Sequence, residues 1–535
     1  MKEREKVMLD WCKSNNKSIG GKESSQAFLW RALDFLKQNG KAGMLVSAGV
    51  LFKHSSTTAA FRKQWLRGVC LKEVINFVHV RKFFFKGVNS PFVMIHFSKS
   101  EQGSVPVEYW SAKQVTAIKE IQAVLLSKYD RNILTDEDLT DGKIWKSYWF
   151  GRHADRTFFQ QLGYLRRLSE FVDRKNSGRG YQTYTNNKSG DQLGCDNTLV
   201  SMCSKYDDLK FSESPEHVYN IGPIKAYKGY KIVVSEGIKE SRYPKGQIIA
   251  RFETSDFSFY RSIYGLKLND SNIDKYKLIV GILWSSFARY YFFSTTANWG
   301  LWNHKILLNE LLQLPVVLDE KLPITKTIIS IVDKLRNYHP KKQDLTYPNG
   351  VLEEEIEVQR NKWEAELDEA VYELYGLSEE QRDLIRDCCE VTLPFFYKPF
   401  NSIGAMQAVE KNDLSWIEKY VHIFCRRWNA YLGDGEEMRA KVHLGAHDNM
   451  VAVEFFPADK GDPWNLKSKN DSWGYILEQL GNTLPQPMGT SQIVLDGLVH
   501  VVSDSGIIII KRNEKRFWTH SLAREDAMPK ERRSR

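Results

Sequence analysis

Cysteine is scarce in this chain, seven residues in 535 and an odd number, which excludes the disulfide framework of a small secreted domain. Cys388 and Cys389 are adjacent, and Cys195 and Cys203 stand too far apart for a zinc knuckle. Reduced thiols of a cytoplasmic protein are therefore the expectation. His79, His96, His153 and His304 are scattered without carboxylate or cysteine neighbours at ligand spacing, so no metal site is expected. Long apolar runs are also missing. Leu278 to Trp284 and Ile507 to Ile510 fall far short of the roughly 20 residues that cross a bilayer, and no membrane partner is expected. The opening residues Met1 to Lys6 are charged and lack the apolar core of a secretory signal.

What is present is enough to fold. A hydrophobic content of 42% with 13% aromatics excludes global disorder, and the length implies about two to four domains. The net charge of +10 is unevenly spread. Residues 1–100 hold 18 Lys and Arg against 6 Asp and Glu, a surplus of 12, while Leu352 to Glu390 runs acidic. A regional surplus of cations suggests a polyanionic partner, although a basic surface need bind nothing specific.

Residues 24–100 read as helix, strand, helix, strand, strand. Phe28, Leu29, Ala32, Leu33 and Leu36 are spaced as one apolar helical face that stops before Asn39-Gly40. Ala42 to Val46 is a short buried strand, and Ser55 or Ser56 caps a second helix with Phe61, Trp65 and Leu66 inward. Leu71 to Val78 and Phe92 to Phe97 follow as β-rich runs. A strand such as Met44-Leu45-Val46, apolar on both faces, belongs in the middle of a covered sheet. Its far edge finds no partner in this sequence, and an open apolar edge is an aggregation hazard.

Further on, residues 272–315 return to helix, with Leu278, Ile279, Ile282, Leu283 and Phe287 on one side. Glu353 to Tyr375 is a charged connector helix with Ile356, Trp363, Leu367, Ala370 and Leu374 at heptad-like spacing. A helix from Leu414 to Trp428 precedes strands at Lys441 to His443, Val451 to Phe456 and within Ile493 to Ile510. The basic tail after Met528 is expected to be disordered.

The stretch Ala27-Phe28-Leu29-Trp30-Arg31-Ala32-Leu33-Asp34-Phe35-Leu36-Lys37, followed by Asn39-Gly40-Lys41-Ala42-Gly43-Met44-Leu45-Val46-Ser47, resembles the N6-adenine DNA methyltransferases of prokaryotic restriction systems. Phe61-Arg62 to Phe97 looks like the last helix and the antiparallel strand pair that close that family's seven-stranded sheet. Trp145-Lys146 with Gly151-Arg152 and Asp155-Arg156 is similar to the linker into its target-recognition region. Phe259 to Gly265, Leu283 to Val316, Leu367 to Leu377 and Lys511 to Thr519 continue the likeness along nearly the whole chain.

The resemblance implies an α/β fold: the C-terminal half of a Rossmann-like methyltransferase sheet at 1–100, a target-recognition domain at 101–345, connector helices at 346–400 and a C-terminal α+β domain at 401–535. It also implies methyl transfer from S-adenosylmethionine to adenine N6 in double-stranded DNA, in restriction-modification or phage defence. The family's Gly-rich cofactor turn and its Asn-Pro-Pro-aromatic catalytic motif are not found. Asn89-Ser90-Pro91-Phe92 is a partial likeness that precedes a strand instead of following one, and Ser90 stands where the first proline belongs. No catalytic and no cofactor-binding residue is therefore assigned. The chain reads as a part that is inactive alone, completed by an upstream polypeptide carrying the cofactor-binding half. The alternative is a non-catalytic DNA-binding specificity module, and a truncated remnant is a third reading.

Adenine N6 cannot be reached while the base is stacked, so such an enzyme must extrude it. In the motif that aligns with Phe83 to Gly87, the family stacks an aromatic on the extruded base. Phe85 falls at that place, with Phe84 next if the register is one off; sheet core is the plain alternative. DNA contacts are expected from Arg152, Arg156, Arg174, Lys175, Arg179, Tyr181 and Gln182, where cations neutralise phosphates and Gln or Arg reads base edges. A charged helix face is more often merely solvated, so the loop Arg174 to Gln182 is favoured over Arg166 and Arg167. Tyr184 and Lys188 extend the same stretch.

Overall fold

A computed structural model describes residues 2–21, 23–87, 89–101, 105–115, 118, 122–183, 192–238, 245–343, 347–397, 413–444, 450–461, 465–466, 473–476, 478, 498–503 and 506–528. The chain divides into two compact units. The first holds Met1–Tyr109 with Asn132–Ile385, and the second Trp110–Arg131 with Arg386–Arg535.

In the first unit, helices α1 (Lys2–Ser14) and α2 (Ser24–Phe35) lead to strand β1 (Lys41–Ser47). Helix α3 (Ser56–Trp65) starts where a hydroxyl predicts it: Ser55 is the N-cap and its oxygen accepts from the Thr58 N–H at 3.3 Å. Strands β2 (Cys70–Asn76), β3 (Phe92–Ser98), β4 (Val107–Ser111) and β5 (Arg131–Leu134) complete a five-stranded sheet in the order β1-β3-β2-β4-β5. Strand β3 alternates strictly, burying Val93, Ile95 and Phe97. It pairs antiparallel with β1 (Met44 opposite Ile95) and with β2 (Val74 opposite Ile95), so β1 and β2 run parallel with β3 inserted between them.

The pairing corrects two expectations. β1 stands at the edge with its far side unpaired among the described residues, as expected, but it is not buried on both faces, since Leu45 is 59% exposed. The apolar face expected for α2 is only partly realised. Ala27, Leu29 and Trp30 are buried, while Phe28 and Phe35 face solvent.

Helices α4 (Gly142–Phe150) and α5 (His153–Leu162) connect to a second sheet. It contains β6 (Gly178–Arg179), β7 (Lys231–Ser235), β8 (Ala250–Glu253) and β9 (Ile263–Leu266), in the order β8-β7-β9-β6. Its core gathers Tyr181, Leu199, Tyr227, Val233, Phe259 and Ile263. Helices α6 (Ile273–Trp284) and α7 (Ser286–Thr295) are parted by Ser285, which caps α7. α6 is buried from Leu278 to Trp284 without a break, so it is enclosed all round rather than along one side. A side chain at Gly281 would bring a Cβ to 2.7 Å from Ile328, which is why glycine stands where α6 meets α8 (Pro323–Asn337). Helix α9 (Glu353–Leu374) packs on α8 with Ile356, Leu367, Ala370 and Leu374 buried, as their spacing predicts.

The second unit is an antiparallel sheet of β10 (Glu436–Leu444), β11 (Met450–Asp459), β12 (Leu498–Ser503) and β13 (Gly506–Arg512), in the order β10-β11-β13-β12. Helix α10 (Ser415–Trp428) lays Ile417, Tyr420, Val421 and Phe424 on it, with Phe424 stacked on Phe455 at 3.8 Å. Lys511 is wholly buried beneath that helix, donating to the Phe517 carbonyl at 2.8 Å and ion-paired with Asp526. Residues 493–497 and the tail after Met528 lie outside the described residues.

Candidate nucleic-acid interface

Ligands of parallel sheets bind beyond the carboxyl ends of the strands, because the following loops converge there. In the first unit those loops follow β1 (residues 48–55) and β2 (residues 77–91). The second is set by Asn76, buried at the end of β2. Its side chain accepts from the Val78 N–H at 2.9 Å and donates to the Tyr109 hydroxyl at 2.8 Å. Phe77 then stacks on Phe92 at 5.5 Å, and a helical turn over Arg81–Phe84 delivers Phe84 and Phe85.

Both rings meet Phe92 edge-on, at 5.8 and 5.2 Å, yet they remain 43% and 45% exposed. Each is anchored on one side and open on the other, as a stacking platform requires. The loop also reaches the next region. His79 lies edge-on to Phe150 of α4 at 5.4 Å, and Phe150 packs on Phe293 of α7 at 5.7 Å.

The basic residues read from the sequence separate into different environments. Arg156 donates to Asp138 at 2.6 Å, and Asp138 is only 2% exposed, so this guanidinium neutralises a buried carboxylate. Arg152 is the N-cap of α5; its half-buried residue is held by a backbone bond from its N–H to Asp155 at 2.7 Å. Tyr181 is 3% exposed and bonds Thr198 at 3.1 Å within the core of the second sheet.

Arg179 is exposed but ion-paired with Glu236 and over the Tyr264 ring at 5.7 Å. Gln182 is half-buried, its backbone paired with Asn220, and its side-chain amide makes no hydrogen bond among the described residues. Tyr184 and Lys188 lie outside the described residues.

Arg174 and Lys175 are exposed. They ride on a turn in which the Asp173 carboxylate accepts from the Lys175 N–H at 3.1 Å and from the Asn176 side chain at 2.5 Å. The Asn176 bond, with lesser help from Lys225, holds the Asp173 carboxyl below its ordinary range. Sequence reasoning missed the cations beside this turn. The Asp173 N–H donates to the Lys267 carbonyl at 2.8 Å, and Lys267 Nζ donates to the Lys228 carbonyl at 2.7 Å. Lys225 and Lys228 are exposed. These lysines are about 50 to 90 residues away from the turn in sequence and form no charge run, so only the sheet gathers them.

Whether these residues could hold S-adenosylmethionine turns on the glycines at the strand ends, since the cofactor needs an open Gly-rich turn. Gly49, just after β1, gives no such room. A Cβ there would meet Glu23 and Lys53 at 3.1 Å, and those two side chains are themselves ion-paired at 2.6 Å. Gly87, with φ +77, is the lone glycine of its loop. Asn89-Ser90-Pro91 leads into antiparallel β3, and the Pro91 carbonyl is taken by the Ala48 N–H at 3.0 Å. Neither Gly49 nor Gly87 belongs to the open Gly-rich turn that the cofactor needs.

Comparisons with known proteins bear on this geometry. No curated protein matches the chain. Among solved structures, the Type IIL restriction-modification enzyme MmeI in complex with DNA aligns with a TM-score of 0.42 at 10% identity, over 66% of this chain and 49% of that one. The type IIG restriction endonuclease BpuSI aligns with a TM-score of 0.23 at 11% identity, over 67% of this chain and 50% of that one. The chain thus spans about half the length of each. Residues 13–162 match the family model N-6 DNA Methylase, a span that takes in β1 to β5, the aromatic loop and the two helices leading to the second sheet. Over that span, this chain is similar to the N-6 DNA methylase family.

Proposed function

We propose that this chain is the DNA-recognition part of a site-specific adenine-N6 DNA methyltransferase of a restriction-modification or phage-defence system. The methyl donor of the complete enzyme is S-adenosylmethionine. The observation that carries the reading is the aromatic loop within the family-matched segment: Phe84 and Phe85, half-exposed, at the carboxyl ends of two parallel strands. Stacking an extruded adenine on such a ring is worth about 1–3 kcal/mol, enough to hold the base out of the duplex.

The cations around Arg174, Lys175, Lys225, Lys228 and Lys267 neutralise phosphates and set the protein on the duplex. Gln182, whose side-chain amide has no hydrogen-bond partner among the described residues, is of the kind that reads adenine bidentately in the major groove. Arg179 and Tyr181 continue the same stretch of chain, whereas Arg152 and Arg156 are held by Asp155 and Asp138. The cofactor and the catalytic motif come from a second half of the enzyme, which pairs with the edge of β1 that is open among the described residues. The chain by itself binds DNA weakly and transfers no methyl group.

Fluorescence anisotropy with labelled duplex DNA tests the recognition role. The full chain should bind, with affinity falling steeply as salt rises from about 50 to 200 mM. Absence of duplex binding at low salt would end the reading.

A further inference from the structure

Between α7 and the short helix Leu308–Leu311, the chain makes a loop that one carboxylate closes at its base. Glu310, buried, accepts from the Ala297 N–H at 2.6 Å with one oxygen and from the Leu307 N–H at 2.9 Å with the other. Lys146 of α4 donates to the Trp299 carbonyl at 2.7 Å. Gly300 turns the chain at φ +87, and the N–H groups of Trp302 and Asn303 both donate to the Asn298 carbonyl at 3.3 Å.

The loop meets its core packing with Trp299 and Leu301, both wholly buried. Its apex is Trp302, half-buried, and Asn303, exposed. No ring among the described residues stacks on Trp302, whose neighbour is the Lys53 ammonium at 5.7 Å.

Two links place this apex at the carboxyl ends of the parallel strands. Lys53 belongs to the loop after β1, and His54 next to it lies 3.8 Å from Glu310 at the base of the Trp302 loop. On the other side, Trp299 meets Phe293 at 5.6 Å, Phe293 meets Phe150 at 5.7 Å and Phe150 meets His79 at 5.4 Å. His79 belongs to the loop after β2, which carries Phe84 and Phe85.

An extruded base makes two demands on the protein. The base needs a surface to lie on, and the gap it leaves exposes the faces of its two neighbours to water. Phe84 and Phe85 meet the first demand. The second takes a flat apolar group, held on a support stiff enough that little freedom is lost when it enters the stack. An indole at the apex of a loop pinned at both roots supplies that group.

We propose that Trp302 is a wedge that enters the duplex where the adenine has left it. The inference rests on the DNA-recognition reading and adds a second aromatic to the same site.

Fluorescence anisotropy of the full chain with two labelled duplexes tests it. They share randomised flanks and differ at one position, an adenine in one and an abasic site in the other, so that the second holds a gap already open. The chain should prefer the abasic duplex by on the order of tenfold, the scale of one aromatic stack. Trp302→Ala and Trp302→Leu should abolish the preference while still binding the intact duplex, which a misfolded variant would not do. Trp302→Phe should keep most of it, and Phe85→Ala should leave it unchanged, because no base remains to lie on that ring. Binding without a preference, or a preference that survives in Trp302→Leu, would overturn the wedge and leave the DNA-recognition reading standing. Binding to neither duplex would overturn both.

Discussion

Replacing Phe85 by alanine separates the function of the aromatic loop from its contribution to the fold. The ring is 45% exposed and its described ring contact is edge-on with Phe92 at 5.2 Å. A fully buried Phe→Ala change costs about 3–5 kcal/mol, and with roughly half the ring already in water the fold should lose about 2 kcal/mol. The loss in base trapping should be of similar size, about 1–3 kcal/mol, which is roughly 5- to 150-fold in retention of an extruded base.

The two effects are read separately: urea unfolding reports the first, and fluorescence of 2-aminopurine placed at the target adenine reports the second. Phe85→Leu should recover most of the stability and little of the trapping, because an aliphatic side chain fills the space against Phe92 without a ring to stack. Phe84→Ala is the paired control, with 43% of its ring exposed and three aromatic neighbours. If the base analogue stays equally bright with both alanine variants bound to the duplex, the loop is sheet packing and the stacking argument is wrong.

Three further outcomes follow from the geometry. Arg156→Ala leaves Asp138 buried without its cation and should cost about 3–5 kcal/mol of stability in denaturant unfolding; a changed salt slope of DNA binding with unchanged stability would show that Arg156 touches phosphate instead. Lys225→Glu/Lys228→Glu should lower the slope of log affinity against log salt by about 0.9 for every phosphate that is no longer neutralised, uniformly across DNA sequences, and an unchanged slope would remove these lysines from the interface. In the second unit Glu454 accepts from His443 at 3.1 Å and from Tyr475 at 2.9 Å, with the His443 bond the largest cause of a carboxyl held below its ordinary 4.5. A depressed carboxyl contributes stability that is complete above the unfolded value and lost as pH falls through the folded one. Thermal melting of that unit should therefore drop below about pH 4.5, and Glu454→Gln should flatten that drop.

Much of the fold was legible because it is local. The Ser55 cap, the alternation of β3 and the buried positions of α9 each depend on residues within a turn or two of one another. Partner choice is not local. Nothing in Phe92 to Ser98 states that this strand enters between β1 and β2, and that insertion is what leaves Leu45 on an edge.

The same limit governs the site. Phe84 and Phe85 could be proposed because their stretch resembles a family motif, and both are partly exposed. The charge of Arg156 was legible but its buried partner, Asp138, was not. Tyr181 and Arg179 are two residues apart on one short stretch, yet one is core and the other faces solvent, which the period-two alternation of a strand would not give. Lys225, Lys228 and Lys267 join Lys175 only through sheet pairing.

The central claim, a recognition part that needs a separate cofactor-bearing half, is tested most directly by transfer of labelled methyl groups from S-adenosylmethionine to duplex DNA. The full chain is assayed alone and with the product of the reading frame immediately upstream. Methylated adenine only in the mixture is the predicted result. Methyl transfer by the chain alone would contradict the account and make Asn89 the first residue to mutate, and silence in the mixture would contradict it as well.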